Sequence, residues 1–210
     1  MMLRIFFVIR RVPQILCLGI FVLPSLLLPF APSLHAQDHE SSIRALLIER
    51  DTEIKAVLAN EPLDDAEIEE LREIVNGLIN FERMGKTILG KLWAEISPAR
   101  QTEFITVFGA IVREQSLGDL DPYRAIIGTP TVEVFSDSAR ASSTALWRNV
   151  STNVDYDLVL TDANWQIVDI SIDGVSTVGG YSRSFRSAIR KRGFDGLMTS
   201  LYKRLDRITK

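Results

Sequence analysis

The sequence predicts an α+β domain: a helical N-terminal part, a four-stranded antiparallel twisted sheet, and helices again at the C-terminus. Three observations predict it. Apolar residues recur at helical spacing from Ser41 to Ile127, the period switches to two between Val132 and Asp173, and helical spacing returns from Tyr181 to Ile208. Helices gathered at the two ends of a run of consecutive strands belong to an α+β arrangement, not to a doubly wound one.

The opening residues are of another kind. Met1 to Arg11 carries Arg4, Arg10 and Arg11 and no acid, an apolar run extends from Ile15 to Phe30, and Ala31-Pro32-Ser33-Leu34-His35-Ala36 leads into polar Gln37-Asp38. A basic stretch, an apolar stretch and a small residue at the cut make a secretory signal. A spanning helix needs roughly 20 predominantly apolar residues, and Pro24, Pro29 and Pro32 interrupt this one. Leu16 is too bulky for lipidation at Cys17. Cleavage is expected after Ala36, making residues 1–36 a leader and residues 37–210 one exported domain.

Cleavage would leave 21 basic and 27 acidic residues, a formal net charge of −6, and no cysteine. No disulfide could then form outside the cytoplasm, so the core must hold the fold. His39 would be the last histidine, which leaves a histidine-based dyad or zinc site almost nothing to draw on.

In the helical part, Ile43, Leu47, Ile54 and Leu58 share one face, as do Ile68, Leu71, Val75 and Leu78. Asp64 and Glu67 have the spacing of a capping box. Phe81, Met84, Ile88, Leu89 and Leu92 are expected on a third helix, weakened near its end by Gly90. Ser97-Pro98 is an N-cap followed by proline at the first helical position. The helix it starts carries Phe104, Val107, Phe108, Ile111 and Val112 on one broad face, and Gly118 can stop it. Asp121-Pro122 starts a short turn through Ile127.

The strands follow. Val132 and Val134 flank Glu133. Ala141, Ser143, Ala145 and Trp147 share a face, and Val154, Tyr156, Leu158 and Leu160 alternate with polar residues. Asp162-Ala163-Asn164 is a short hairpin turn, after which Val168, Ile170 and Ile172 are expected on one side. Gly174-Val175-Ser176 reads as a turn into the last helical stretch, not as a phosphate loop, having too few glycines and no following lysine. Tyr181, Phe185 and Ile189 lead to Gly193, and Leu197, Leu201, Tyr202, Leu205 and Ile208 line a final helix.

Two blocks of this sequence stand out together. One is Phe81-Glu82-Arg83-Met84 with Ile88-Leu89-Gly90-Lys91-Leu92-Trp93, then Ser97-Pro98, Phe104 and Phe108. The other is Trp165-Gln166-Ile167-Val168-Asp169-Ile170 and Asp173-Gly174-Val175-Ser176, then Tyr181, Phe185, Gly193-Phe194-Asp195-Gly196-Leu197 and Leu201. In this order and spacing the blocks resemble the MlaC family, also called the toluene-tolerance family; Glu82, Ser116-Leu117 and Ser182 depart from its pattern.

The resemblance implies an NTF2-like sheet with a lipid cavity between sheet and helices. It also implies a monomeric periplasmic shuttle that passes phospholipid between an outer-membrane lipoprotein complex and an inner-membrane ABC transporter with a ring of MCE domains. On that reading the cavity is lined by Val134, Ala145, Trp147, Tyr156, Leu158, Leu160, Ile170, Ile172 and Val175, with Phe104, Phe108, Ile111, Tyr181 and Phe185 closing over them. No cofactor or metal is implied.

Other readings stay open at this point. The ligand could be a different hydrophobic lipid such as a hopanoid, or the protein an interaction module that carries nothing. Catalysis has little support: Asp169 and Asp173 share a strand face, but alternating acids on an exposed face are common. Residues 181 to 210 hold nine basic residues against Asp195 and Asp206. That field suits an acidic partner or anionic headgroups rather than nucleic acid, with Arg190, Lys191 and Arg192 as docking candidates; the bland alternative is a solvated helix face.

Overall fold

Local signals set the helix boundaries. The structure, a computed structural model, describes residues 34–162 and 164–210; most of the expected leader, and Ala163, lie outside them. Helix α1 (Leu34–Leu58) is followed by α2 (Asp65–Asn76), where Asp64 and Glu67 close the expected capping box. Helix α3 (Phe81–Leu89) ends at Gly90, whose φ of +59° separates it from the short α4 (Lys91–Glu95). Leu92 is therefore on a helix of its own: the left-handed backbone that glycine permits breaks the run expected to be continuous. Ser97 caps α5 (Pro98–Ser116), which a 3₁₀ turn (Asp121–Arg124) follows.

The sheet has six strands where four were expected. The four long ones are β2 (Thr131–Phe135), β3 (Ser138–Trp147), β4 (Val150–Thr161) and β5 (Asn164–Ile172). Two-residue strands β1 (Ile126–Ile127) and β6 (Val175–Ser176) extend the edges, so Ile126 and Ile127 leave the expected turn to pair with Leu146 and Ala145. The six strands pair antiparallel throughout: β3 takes β1 and β2 on one side and β4 on the other, and β5 and β6 follow. The apolar side chains at two-residue steps share one face, which a single register keeps together across β2, β3 and β4.

Strand β5 breaks the simple alternation. Asp157 pairs with Asp169 but Leu158 pairs with Ile167, so Val168 is an extra residue in a β-bulge. The bulge exchanges faces: Trp165 and Ile167 join Leu160 and Leu158 before it, and Ile170 and Ile172 join Tyr156 and Val154 after it. Val168 does not share the side of Ile170, as its spacing suggested. The bulge also brings Asp169 to the start of α6 (Thr177–Ile208), where its carboxylate accepts the N–H of Val178 at 3.0 Å and the hydroxyl of Ser176. The first of these bonds satisfies a backbone donor that a helix start leaves unpaired.

Helix α6 has two arms. Gly193, at φ +68° and ψ −179°, interrupts it in a conformation that is almost exclusive to glycine. Where α3 ends, the carbonyl of Ile88 accepts the hydroxyl of buried Ser182 at 3.0 Å, which fastens the first arm to α3. Gly85 lets α3 approach α5, since a Cβ there would meet Ile105 Cδ1 at 2.2 Å. The other side of α3 reaches the sheet through Asn80, whose N–H donates to the Ile167 carbonyl at 2.9 Å and whose side chain meets Gln166 at 2.7 Å.

Three apolar clusters result. One joins α3, α5 and α6, one lies between α1 and the sheet, and one joins α1 and α2 to the 3₁₀ turn. The last two meet near Tyr123 and Tyr156. Tyr123 donates to the Ser116 carbonyl at 2.8 Å, and burial, then Tyr156, pushes its phenol up to about 12. Burial and the negative charge of Asp51 on α1 push Tyr156 up as well.

A phenol whose pKa is higher folded than unfolded keeps its proton in the folded state only. The stability it supports is complete below the unfolded value near 10 and is lost as pH rises through the folded value. Denaturant melts are therefore expected to weaken steeply between about pH 10 and 12. Tyr123→Phe should flatten part of that slope, at a cost of about 1 kcal/mol near neutrality for the lost hydrogen bond. An unchanged slope would show that Tyr123 does not carry it.

Candidate functional site

A single sheet face carries the candidate site, and its burial changes along the strands. Ala139, Ala141 and Leu158 are sealed, as are Val132, Trp165 and Ile167 around them. The cover is α1, from which Ile43, fully buried, and Leu46 and Leu47 pack into this cluster. Arg44 holds the helix there by donating from Nε to the Pro130 carbonyl at 3.0 Å, and His39 meets Trp165 edge-on at 5.4 Å.

Further along the same face the cover ends. Ser143, Ala145 and Trp147 on β3, with Thr152 and Val154 opposite, are half-buried. Ile172 is 52% exposed, and its partner Val175 is 63% exposed. The side chains here are small on β3 up to Ala145; β4 contributes Thr152 and Val154, and β5 contributes Ile172. Trp147 closes the row; its Nε1 is buried without a partner, and the Arg148 guanidinium lies over its ring, 5.1 Å from the centroid.

The expected lining therefore divides into three groups. Phe104, Phe108, Ile111, Tyr181 and Phe185 do not close over the sheet: they pack together between α3, α5 and α6. Phe104 and Phe108 stack at 5.7 Å, and Phe185 meets both edge-on at 6.1 and 6.3 Å. The first arm of α6, tied to α3 through Ser182, turns these rings into a helical core. Val134, Tyr156, Leu158, Leu160 and Ile170 lie in or against the cluster beneath α1. Only Ala145, Trp147, Ile172 and Val175 stand on the open part of the face.

Two hollows among the described residues have volumes of about 390 and 350 Å³. The first is lined by Ser200, Lys203, Asp206 and Arg207, and the second lies between α1 and α2. Neither is lined by a residue expected in the cavity. Ile43, Leu46 and Leu47 are the covering residues that the sequence reading left out of the site. The helical spacing of Ile43 and Leu47 is visible in the sequence, but nothing local ties it to the sheet.

The two candidate carboxylates have separate structural tasks. Asp169 holds the start of α6, while Asp173, in a turn at φ +48°, accepts the Asn153 N–H at 2.9 Å. Arg190, Lys191 and Arg192 are all exposed, immediately before the Gly193 break.

The MlaC protein family model matches residues 50–203. The chain belongs to the MlaC family. Among curated proteins no sequence matches it. Among solved structures it is similar to the phospholipid-binding protein from Ralstonia solanacearum in complex with a phospholipid, with a TM-score of 0.66 and 18% identity over 81% of this chain and 98% of that one. At that identity the likeness speaks to the fold. The family match begins inside α1, so the Ile43, Leu46 and Leu47 cover lies before it.

The sealed and open parts of the face should respond differently to bulk. Ala141→Trp is expected to overpack the cluster opposite Val132 and Tyr156 and to cost about 1–3 kcal/mol or more. Ala145→Trp, on the half-buried part, should cost less than about 1 kcal/mol. Urea unfolding of both variants measures the contrast, and equal losses would contradict it.

Proposed function

We propose that this protein is a periplasmic phospholipid carrier that exchanges its lipid with complexes in the two membranes. The observation that carries the reading is the apolar sheet face of small β3 side chains, sealed by α1 at one end and left open at the other. Membership of the MlaC family and the likeness to a phospholipid-binding protein solved with its lipid support it. No helix among the described residues is long and apolar enough to cross a membrane.

The physical need is plain. A diacyl lipid has about 30 methylenes, each costing about 0.8 kcal/mol in water. Crossing an aqueous gap alone is therefore prohibitively slow, and a carrier must replace the bilayer with apolar surface. The chemistry required is burial alone, which matches a site whose nearby carboxylates are occupied in holding backbone. The acyl chains would lie along Ala145, Val154 and Ile172, with Trp147 and Val175 at the mouth.

Native mass spectrometry of the purified protein tests the reading. Co-purified diacyl lipid is expected at about one per chain, and Ala145→Trp should reduce it while leaving the melting temperature nearly unchanged. Protein free of lipid under native conditions, still unloaded after mixing with phospholipid vesicles, would sink the carrier reading.

Docking would be electrostatic. A shuttle has to leave both complexes, and exposed charges contribute approach rate and orientation more than affinity. Arg190, Lys191 and Arg192 present the most concentrated positive field beside the α6 break. Reversing all three to Glu is expected to slow lipid delivery to vesicles carrying a partner complex at low salt. Raising the salt should erase the difference as the Debye length shrinks below about 8 Å. Delivery at the wild-type rate at low salt would make these residues solvated surface only.

A further inference from the structure

Most of the large apolar side chains that the sheet exposes gather at one of its ends. Ile126 (68% exposed), Leu146 (44%), Val150 (64%), Ile172 (52%) and Val175 (63%) all lie around the β3–β4 and β5–β6 turns. Phe135 is the exception, beside the opposite turns, where Asp137 and Asp162 are exposed. The two turns at the apolar end have two residues each, all with positive φ: Arg148 at 48° and Asn149 at 65°, Asp173 at 48° and Gly174 at 77°. Such turns continue the twist of their strands and have no slack. Arg148 lies over Trp147, and Asn149, Asp173 and Gly174 are too short to cover the exposed apolar side chains.

We infer that this end of the sheet is a ridge that inserts into the interface of a lipid bilayer. The inference rests on the carrier reading for its purpose. Three observations select a bilayer as the occupant. The ridge wraps the end of the sheet, because Ile126 and Leu146 are register partners on the outer face while Val150, Ile172 and Val175 belong to the inner one. A narrow ridge of that shape presents little area to a flat protein surface, whereas a stable protein interface needs about 800 Å² per partner. A soft interface can surround it.

Next, the Arg148 guanidinium lies over the ring of half-buried Trp147 while reaching Asp121 at 3.2 Å, an amphipathic pair suited to the boundary between headgroups and acyl chains. Finally, the inner side of the ridge leads past Thr152 to half-buried Ala145 and Val154. A lipid drawn from the bilayer would stay against mostly apolar side chains.

The test is flotation of the full protein with neutral phosphatidylcholine vesicles in high salt, which removes headgroup attraction. Wild type should float, and Val150→Asp combined with Ile126→Asp should weaken partitioning by about tenfold or more. Phe135→Asp, at the other end of the sheet, should leave it unchanged. Brominated lipid should quench part of the fluorescence, and Trp147→Phe should abolish that part.

Equal flotation of the double variant and wild type, or equal loss in Phe135→Asp, would overturn the ridge. So would sedimentation showing a wild-type dimer that the double variant converts to monomer, since a second copy would then cover it. Bound lipid is counted separately by native mass spectrometry. A lipid-free protein that still floats through Val150 and Ile126 overturns the carrier reading and upholds the ridge, while a loaded protein that does not float does the reverse.

Discussion

The carboxylate of Asp169 is the joint on which the layers of this protein depend. It sits on β5 but serves α6, accepting the Val178 N–H and the Ser176 hydroxyl where the helix begins. Without the bulge at Val168 the residue would fall on the other face of the strand and the Val178 N–H would lose its acceptor. The first arm of α6 then leaves the sheet along a set line, and Ser182 meets the end of α3. Since α3 is itself tied to β5 through Asn80, one strand anchors the helical core at two points. Charge-assisted hydrogen bonds contribute about 1.5–3 kcal/mol each when buried, enough to decide how two otherwise independent apolar clusters are joined.

That arrangement also explains which part of the sheet remains open. The α3, α5 and α6 core hangs from β5, and α1 crosses from Trp165 on that side to Pro130 on the other. Of the two, α1 covers the middle of the face, through Ile43, Leu46 and Leu47. The β3–β4 hairpin reaches beyond both attachments, so Ala145, Trp147 and Val150 lie past the end of the cover. The open region follows from the length of β3 and β4, ten and twelve residues, against the five of β2.

Much of this was legible in the sequence, and what was not has physical causes. The long strands could be read because the side-chain period of a strand is two and one face is buried. The caps at Asp64 and Ser97 and the break at Gly193 could be read because each depends on one residue type. The bulge could not: Val168-Asp169-Ile170 alternates smoothly, and the extra residue is evident only from its partner strand. Strands β1 and β6 are too short to carry a period. The division of the apolar residues was hidden for a deeper reason. Phe104 and Ala145 are both apolar at regular spacing, and no local pattern records that one meets α6 while the other faces outward.

The division has a consequence for how such a protein can work. A carrier that used its main core as its ligand site would lose packing each time the ligand left, and well-packed interiors respond to lost volume at about 24 cal/mol per Å³ of cavity. Here the solid clusters contain the fully buried side chains Phe104, Phe108, Ile43, Leu71 and Leu158, while the open face is made from half-buried ones. Emptying that face would expose surface already partly in contact with water and leave the clusters intact. On the proposed function, stability and binding would reside in different residues, divided by where α1 stops covering the sheet. A loaded and an unloaded form could then share one fold, which repeated cycles of uptake and release require.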